Sequence, residues 1–512
     1  MAIIALEELP ANERFDTSLE PEADLGEVPA PGAPIQIQDK IAQAVLLTML
    51  LAAPALICLH SALAADPDVF WHLRTGEWVL QHHAVPQVDS FSAADSGKPW
   101  QAYSWLFEVL TFGLFRRFGL VGLVGYSAGM VFAITLATRH LVRRLQSDFS
   151  YATLLTFVAC FLFGRLYTPR PWLFSILFFV LELDILMQAR KTGQWRELAW
   201  LPVIFALWAN THIQFIYGLA ILAWAAVEAV VTRQEPGLKT PLRAPWAFAA
   251  LGASVIATWA NPYGWHIYQI VVNLARQPGG LNDITELQAL HFRDPTDYVL
   301  LFLMVAATAV LAWHRRFRVF ECGLLLFAAL ASFRSQRDIW VLVAIATAVL
   351  ASTLSGRKTA QAVYRLPGWA TTLTAIVAGM VVLGGFRALH VNNAKLQAQV
   401  SKELPVDAVN EIRAKGYPGP LYNDFNWGGY LIWALRMPVT IDGRGGFYGD
   451  KSINRSLATW RGVPDWASES ALMHAGLVLG PVDSPLIQIL RLDSHFQLVY
   501  QDKLAAVFVA RK

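Results

Sequence analysis

Long apolar runs, separated by short polar breaks, fill the chain from residue 41 to residue 386. A hydrocarbon core about 30 Å thick takes roughly 20 apolar residues to cross as a helix. On that measure the pattern predicts spans over 41–63, 120–141, 151–166, 172–188, 197–209, 215–231, 246–260, 298–313, 319–333, 339–354 and 369–386, about eleven in all. The short ones, such as 197–209, suit tilted or broken helices around a water-filled cavity. Residues 105–118 are apolar but interrupted by Arg116 and Arg117, and are read as a helix lying in the interface. Beyond residue 406 the period changes. A helix over 407–415, strands over 421–424, 438–441 and 475–479, a helix opening at Asn426, a short helix over 486–492 and a hairpin of 496–500 with 505–510 predict a small α/β domain.

Composition agrees with the span pattern. Of 512 residues, 55% are hydrophobic and 15% charged, with a mean hydropathy of +0.40, whereas soluble domains carry about a quarter charged residues. A polytopic membrane protein follows. The net charge of +3 points to no partner, and no basic nucleic-acid face is apparent. Cys58, Cys160 and Cys322 sit in apolar runs and read as small hydrophobes. The first 40 residues lack the basic and early apolar regions of a signal peptide and read as a disordered acidic tail. The expected organisation is that tail (1–40), a transmembrane domain (41–387) with an external loop over 64–118, and an external α/β domain (388–512).

Orientation is read from basic loops. Arg139/Arg143/Arg144, Arg190/Lys191/Arg196, Arg233/Lys239/Arg243, Arg315/Arg316/Arg318 and Arg357/Lys358/Arg365 all fall on one side if 105–118 does not span. That side is expected to be cytoplasmic, with the N-terminus, and the C-terminal domain external.

The polar breaks of the other side carry the candidate chemistry. Directly after the first span comes Asp66-Pro67-Asp68-Val69-Phe70-Trp71-His72. Other turns hold Arg165 and Arg170, then Asn210, His212 and Gln214, then Asn261, then Arg334 and Arg337. Arginine offers a planar fork of donors suited to phosphate, and charge at membrane depth tends to mark function. The bland reading is arginines snorkelling from helix ends. Asp66 and Asp68 admit three readings: a general base, ligands of a divalent cation, or carboxylates starting a helix. His72, His82 and His83 lack a metal-ligand spacing. Glu108 is either a second acid or a solvated charge.

The stretches DPDVFWHLRTGEW, PQVDSFS, NTHIQFIYG, NPYG and WGGYLIW…IDGR resemble a bacterial branch of the GT-C fold glycosyltransferases. The resemblance implies about eleven transmembrane helices with a C-terminal external α/β domain. It also implies transfer of a sugar from a polyprenyl-phosphate donor to a glycan, lipid or protein acceptor at the external face. An acidic residue of the first external loop is the usual base of that family, which maps onto Asp68, or Asp66 as second choice. Arginines near the lipid phosphate map onto Arg165, Arg170, Arg334 and Arg337. The segment containing Trp427 and Tyr430, ahead of Asp442 and Arg444, is similar to the acceptor-reading WWDYG segment of oligosaccharyltransferases. It lacks the Asp, and Asn426 stands where that motif has Trp; its plain reading is a glycine-permitted turn into a helix. His72, Glu108, Asn210, His212, Gln214 and Asn261 are expected to line the cavity. No cofactor is certain; a divalent cation at Asp66 and Asp68 stays one of the open readings. The resemblance places the chain in the bacterial inner membrane. Two readings from other classes stand beside it: a lipid or polysaccharide transporter or flippase, and a non-catalytic envelope assembly protein.

Overall fold

In the computed structural model, residues 37–60, 65–93, 95–231, 242–276, 285–313, 319–354 and 366–511 are described. The acidic tail up to residue 36 lies outside them, as do Arg233, Lys239, Arg315, Arg316, Arg318, Arg357, Lys358 and Arg365 of the basic loops.

Each predicted span is a helix. They are α1 (Ile37–His60), α4 (Leu120–Leu145), α5 (Phe149–Phe163), α6 (Trp172–Thr192), α7 (Leu201–Thr211), α8 (Phe215–Val231), α9 (Ala244–Ala257), α11 (Pro295–Trp313), α12 (Val319–Arg334), α13 (Ile339–Thr353) and α14 (Gly368–Ala388). Among the described residues seven helices are long and apolar enough to cross a membrane. The other four, α7, α8, α9 and α12, have 11, 17, 14 and 16 residues. Between α1 and α4 lie α2 (Pro67–His82) and α3 (Trp105–Phe118), packed on each other, and α10 (Ile267–Ala275) follows α9. α13 is buried along nearly its whole length, from Ile339 to Ala351. A helix that is apolar all round belongs in the centre of a bundle.

The C-terminal region holds α15 (Asn393–Glu403), α16 (Val406–Lys415), β1 (Leu421–Asn423), α17 (Gly428–Leu435), α18 (Gly445–Trp460), β2 (Leu477–Pro481), α19 (Pro485–Leu490), β3 (Phe496–Gln501) and β4 (Ala505–Ala510). The sheet order is β1-β2-β4-β3, with β1 parallel to β2 and the other pairs antiparallel. Alternation puts Tyr422, Val478 and Phe508 in one core with Trp460, Leu486 and Leu490, and turns Leu421, Leu477 and Val507 to the main core.

Two local expectations fail. Residues 438–441 are not a sheet strand; Val439 instead bridges Ser92 of the first loop, with Val439 N donating to Phe91 O at 2.9 Å and Ala93 N to Val439 O at 2.8 Å. The helix α18 was not foreseen, because its Gly, Ser, Asn and Thr content is poor for helix. Ile453, Thr459 and Trp460 are buried on the domain, and that packing holds it.

All the arginine and asparagine turns gather at the end that carries the sheet. Trp105 Nε1 donates to Asn210 Oδ1 (2.8 Å), Arg165 to Gln336 Oε1 (3.5 Å), Tyr263 OH to Pro86 O (3.3 Å), and Gln214 to Asp338. At the opposite end Arg144 pairs with Asp184 (2.6 Å) and Arg190 with Glu228 (2.8 Å) and Glu321 (3.2 Å), so these acids serve the bundle.

One buried arginine fastens the C-terminal domain to the first loop. Arg444 is 5% exposed. Its Nε and one terminal nitrogen donate to Asp442 at 2.8 and 2.7 Å, its other terminal nitrogen pairs with Asp89, and the rings of Phe91, Trp100, Phe447 and Tyr448 surround it. Burial raises the Asp89 carboxyl, but Arg444 and Ser92 outweigh it and the group ends below its ordinary range. Removing one member of such a set strands the remaining charges, at a cost of about 3–5 kcal/mol. Arg444→Met is therefore expected to lower the unfolding temperature in detergent and to make the C-terminal domain protease-sensitive. Unchanged melting and proteolysis would show that Arg444 does not hold the two parts together.

Candidate functional site

The sequence Asp-Pro-Asp makes a helix cap. Asp66 is the N-cap of α2, extended at φ −66°, and its Oδ1 accepts the backbone N–H of Asp68 at 3.1 Å, with Pro67 at the first helical position. The cap therefore sets two carboxylates side by side, where the helix dipole favours negative charge. Arg170, from the turn between α5 and α6, lies between them. Its Nε and NH2 donate to Asp66 at 2.6 and 2.8 Å, and its NH1 to Asp68 Oδ2 at 2.6 Å. The Trp172 ring lies 5.4 Å from the guanidinium. Burial pushes the Asp68 carboxyl above its ordinary value; Arg170 pulls it back, and Asp66 and Asp442 add to the rise.

The C-terminal domain touches this pair through backbone. A methyl group on Gly443 would overlap Asp68 Oδ1, and one on Gly429 would stand 2.6 Å from the Pro67 carbonyl oxygen. Gly428 opens α17 as the expected turn into a helix, and its own Cβ would overlap Ile441 O. The glycines of WGGY and IDGR thus permit an approach between domains as well as a turn. Tyr430 meets Phe70 edge to face at 5.1 Å, and Trp427 is buried.

One turn along α2 from Asp68, His72 is buried, with its Nδ1 3.0 Å from Glu108 Oε1 on α3. Glu108 is 1% exposed, so it is no solvated charge, and its Oε2 has no partner among the described residues. Burial drives the His72 pKa well below its usual value, with Arg170 and His212 adding to the drop. Burial drives Glu108 well above its own, with Arg444 opposing. Both shifts favour the uncharged forms. His212 Nδ1 lies 2.7 Å from Ser175 Oγ, which also accepts from Trp208 Nε1 at 2.8 Å; burial and then Arg337 lower its pKa to about 3.

The four arginines differ in what they hold. Arg165 pairs with Asp297 and donates to Thr296 at 3.1 Å, and Arg170 holds the acid pair. Arg337 reaches Glu286 at 3.9 Å, and its buried Nε has no partner among the described residues. Arg334 is exposed at the end of α12. Gln214 and Tyr217 donate to Asp338, Tyr217 at 3.0 Å, beside Arg337. Asn210 donates to Ala206 O and Ala260 O, each at 2.7 Å, and Asn261 closes its own turn through Thr258 O, Gly264 O and Tyr263 N. Ser175 and Tyr217 carry no signal in the sequence, and Asp89, Glu286, Asp297 and Asp338 lie in or at the edge of the external polar stretches without any mark of what they pair with. All are partners of residues singled out in the sequence, and a partner distant in sequence leaves no local pattern.

No family model matches the chain, and no curated protein matches it. Solved structures do. The oligosaccharyltransferase of Archaeoglobus fulgidus in the apo form has a TM-score of 0.54 at 13% identity, covering 88% of this chain and 70% of that one. The same organism's oligosaccharyltransferase AglB, in complex with an inhibitory peptide and a dolichol-phosphate, has a TM-score of 0.55 at 14% identity, covering 87% and 69%. A complex of the archaeal enzyme with Zn and sulfate scores 0.51 at 13% identity, covering 87% and 68%. The fold of this chain is therefore the GT-C fold, a polytopic helical membrane domain with a small C-terminal sheet region.

The contact at Gly443 has a direct check. Gly443→Ala forces Asp68 or the loop to move, an overpacking expected to cost about 1–3 kcal/mol. A lower unfolding temperature, with a shift of the Asp68 carboxylate in a density map, is the expected outcome. An unmoved carboxylate and unchanged melting would mean the two segments do not touch.

Proposed function

We propose that this chain, built on the GT-C fold, is a membrane glycosyltransferase that moves a sugar from a polyprenyl-phosphate donor to an acceptor hydroxyl at its sheet-bearing end. The observation that carries this reading is the meeting of the first-loop acid pair with the arginine turns beneath the C-terminal domain. The likeness to an oligosaccharyltransferase held with a dolichol-phosphate supports a lipid-linked donor. The positive-inside reading of the basic loops puts that end outside, the N-terminus in the cytoplasm and the protein in a bacterial inner membrane.

The division of labour follows from which groups are already engaged. Among the described residues Asp68 Oδ1 has no hydrogen bond while Arg170 holds Oδ2, so Oδ1 takes the acceptor proton. As the acceptor oxygen bonds to the anomeric carbon, the bond from that carbon to the phosphate oxygen breaks and its electrons leave with the phosphate. Arg337, whose ion pair with Glu286 is long at 3.9 Å, and the exposed Arg334 receive that phosphate, an electrostatic role suited to a site shielded from water. Glu108, His72, His212 and Gln214 shape the space for the sugar. Asn210 and Asn261 hold the turns that frame it. Trp427, Tyr430, Asp442 and Arg444 set the roof. The acceptor class stays at glycan, lipid or protein.

General-base assistance is worth about 10²–10⁴ in rate, so Asp68→Asn is expected to lose that much transfer from a lipid-linked sugar in proteoliposomes while keeping its unfolding temperature. Full turnover in the folded variant would sink the role of Asp68. A base acts when deprotonated, so the rate is expected to rise with pH through the Asp68 pKa, and that pKa lies above the ordinary 3.8. A rate that falls with pH across the acid range would contradict a carboxylate base. Sugar flux without any acceptor would favour a transporter instead.

A further inference from the structure

A divalent cation is the group that two first-loop carboxylates suggest, and a relative of this fold has been held with Zn. The residues present here do not suit one. Asp66 spends Oδ2 on Arg170 Nε and Oδ1 on Arg170 NH2 and the Asp68 backbone, and Asp68 spends Oδ2 on Arg170 NH1. One oxygen, Asp68 Oδ1, is left. A hard divalent ion takes about six oxygen ligands. The neighbouring donors are engaged with one exception: His72 Nδ1 meets Glu108 Oε1, Asp442 holds Arg444 and Tyr448, and Asp89 holds Arg444 and Ser92, while Glu108 Oε2 has no partner among the described residues and belongs to a carboxyl that burial pushes toward its uncharged, poorly ligating form. Among the described residues no group of three or more His, Cys, Asp or Glu side chains is placed to hold a metal.

We infer that the Arg170 guanidinium is the resident cation of the acid pair, occupying the place between Asp66 and Asp68 that a divalent metal would take. Three of its five N–H donors go to the two carboxylates. Arginine stays charged at every physiological pH and cannot dissociate, so the neutralising charge is built into the fold rather than drawn from solution. The charge count also differs. Two carboxylates and one guanidinium leave a net charge of −1, whereas a divalent ion would leave none. Asp68 therefore keeps the anionic character that a base needs. The same engagement takes Arg170 out of the phosphate-binding set, with Arg337 and Arg334 remaining. The part that concerns catalysis rests on the proposed function; the cation assignment itself does not.

Mn²⁺ binding to the full chain in detergent tests the assignment without reading activity. Wild type is expected to show no saturable Mn²⁺ signal by electron paramagnetic resonance up to about 1 mM, the weak end of protein cation sites. Arg170→Met, with a monodisperse elution profile, vacates the place between the acids. It is expected to bind Mn²⁺ roughly tenfold or more tightly than wild type, as the freed carboxylates become ligands. Asp66→Asn in that background removes the gain. Arg170→Lys keeps a fixed cation and is expected to bind no better than wild type, which controls for a folding defect. Saturable wild-type binding that Asp66→Asn abolishes would overturn the inference. So would a folded Arg170→Met that binds no Mn²⁺. A chain that proves to transfer no sugar leaves either result standing.

Discussion

A guanidinium removed from water must be neutralised by what it touches, and Arg444 meets that demand with Asp442 on one side and Asp89 on the other. The two acids lie in different parts of the chain, so the arginine cannot be satisfied unless the C-terminal domain sits on the first loop. Four aromatic rings exclude solvent and strengthen the attraction. The Val439–Phe91 backbone pairing and the Arg436–Glu77 ion pair follow the same seam. The close approach of Gly443 to Asp68 and of Gly429 to Pro67 depends on that docking, and so does the setting of the candidate base.

A second balance of charge organises the site itself. Asp66, Asp68 and Arg170 form a closed set, and Arg165 forms another with Asp297. Arg337 is left, among the described residues, with a distant partner and an Nε that no acceptor meets. Buried donors without partners are costly to maintain, and one beside a cluster of polar side chains is where an incoming anion finds binding energy already prepared. Hydrogen-bonded histidine pairs lie nearby: His72 with Glu108, and His212 with Ser175.

Much of the fold was legible along the chain. Eleven apolar runs became eleven helices, since a span needs only length and composition to be recognised. The hairpin of β3 and β4 was marked by alternation and a polar turn. Two stretches of the C-terminal domain misled for physical reasons. Residues 438–441 carry a strand pattern because they pair with a loop rather than with the sheet. The helix α18 carries a weak helix pattern, including Gly449 at φ 73°, because its burial supplies what its propensity lacks. In the site, Asp66 and Asp68 announced themselves by their place after the first span. Glu108 was ambiguous, and only its burial decided it.

The sequence by itself determined the membrane class, the apolar runs that become helices and the residue types available in the polar turns. These depend on local length, hydropathy and periodicity, which the chain displays residue by residue. Tertiary structure alone decided which charges pair. Arg170 was read as a phosphate ligand, and the fold gave it to Asp66 and Asp68, more than a hundred residues away in sequence. Asp89 and Arg444 are still farther apart. Pairing is a matter of distance and desolvation in three dimensions, and neither has a one-dimensional signature.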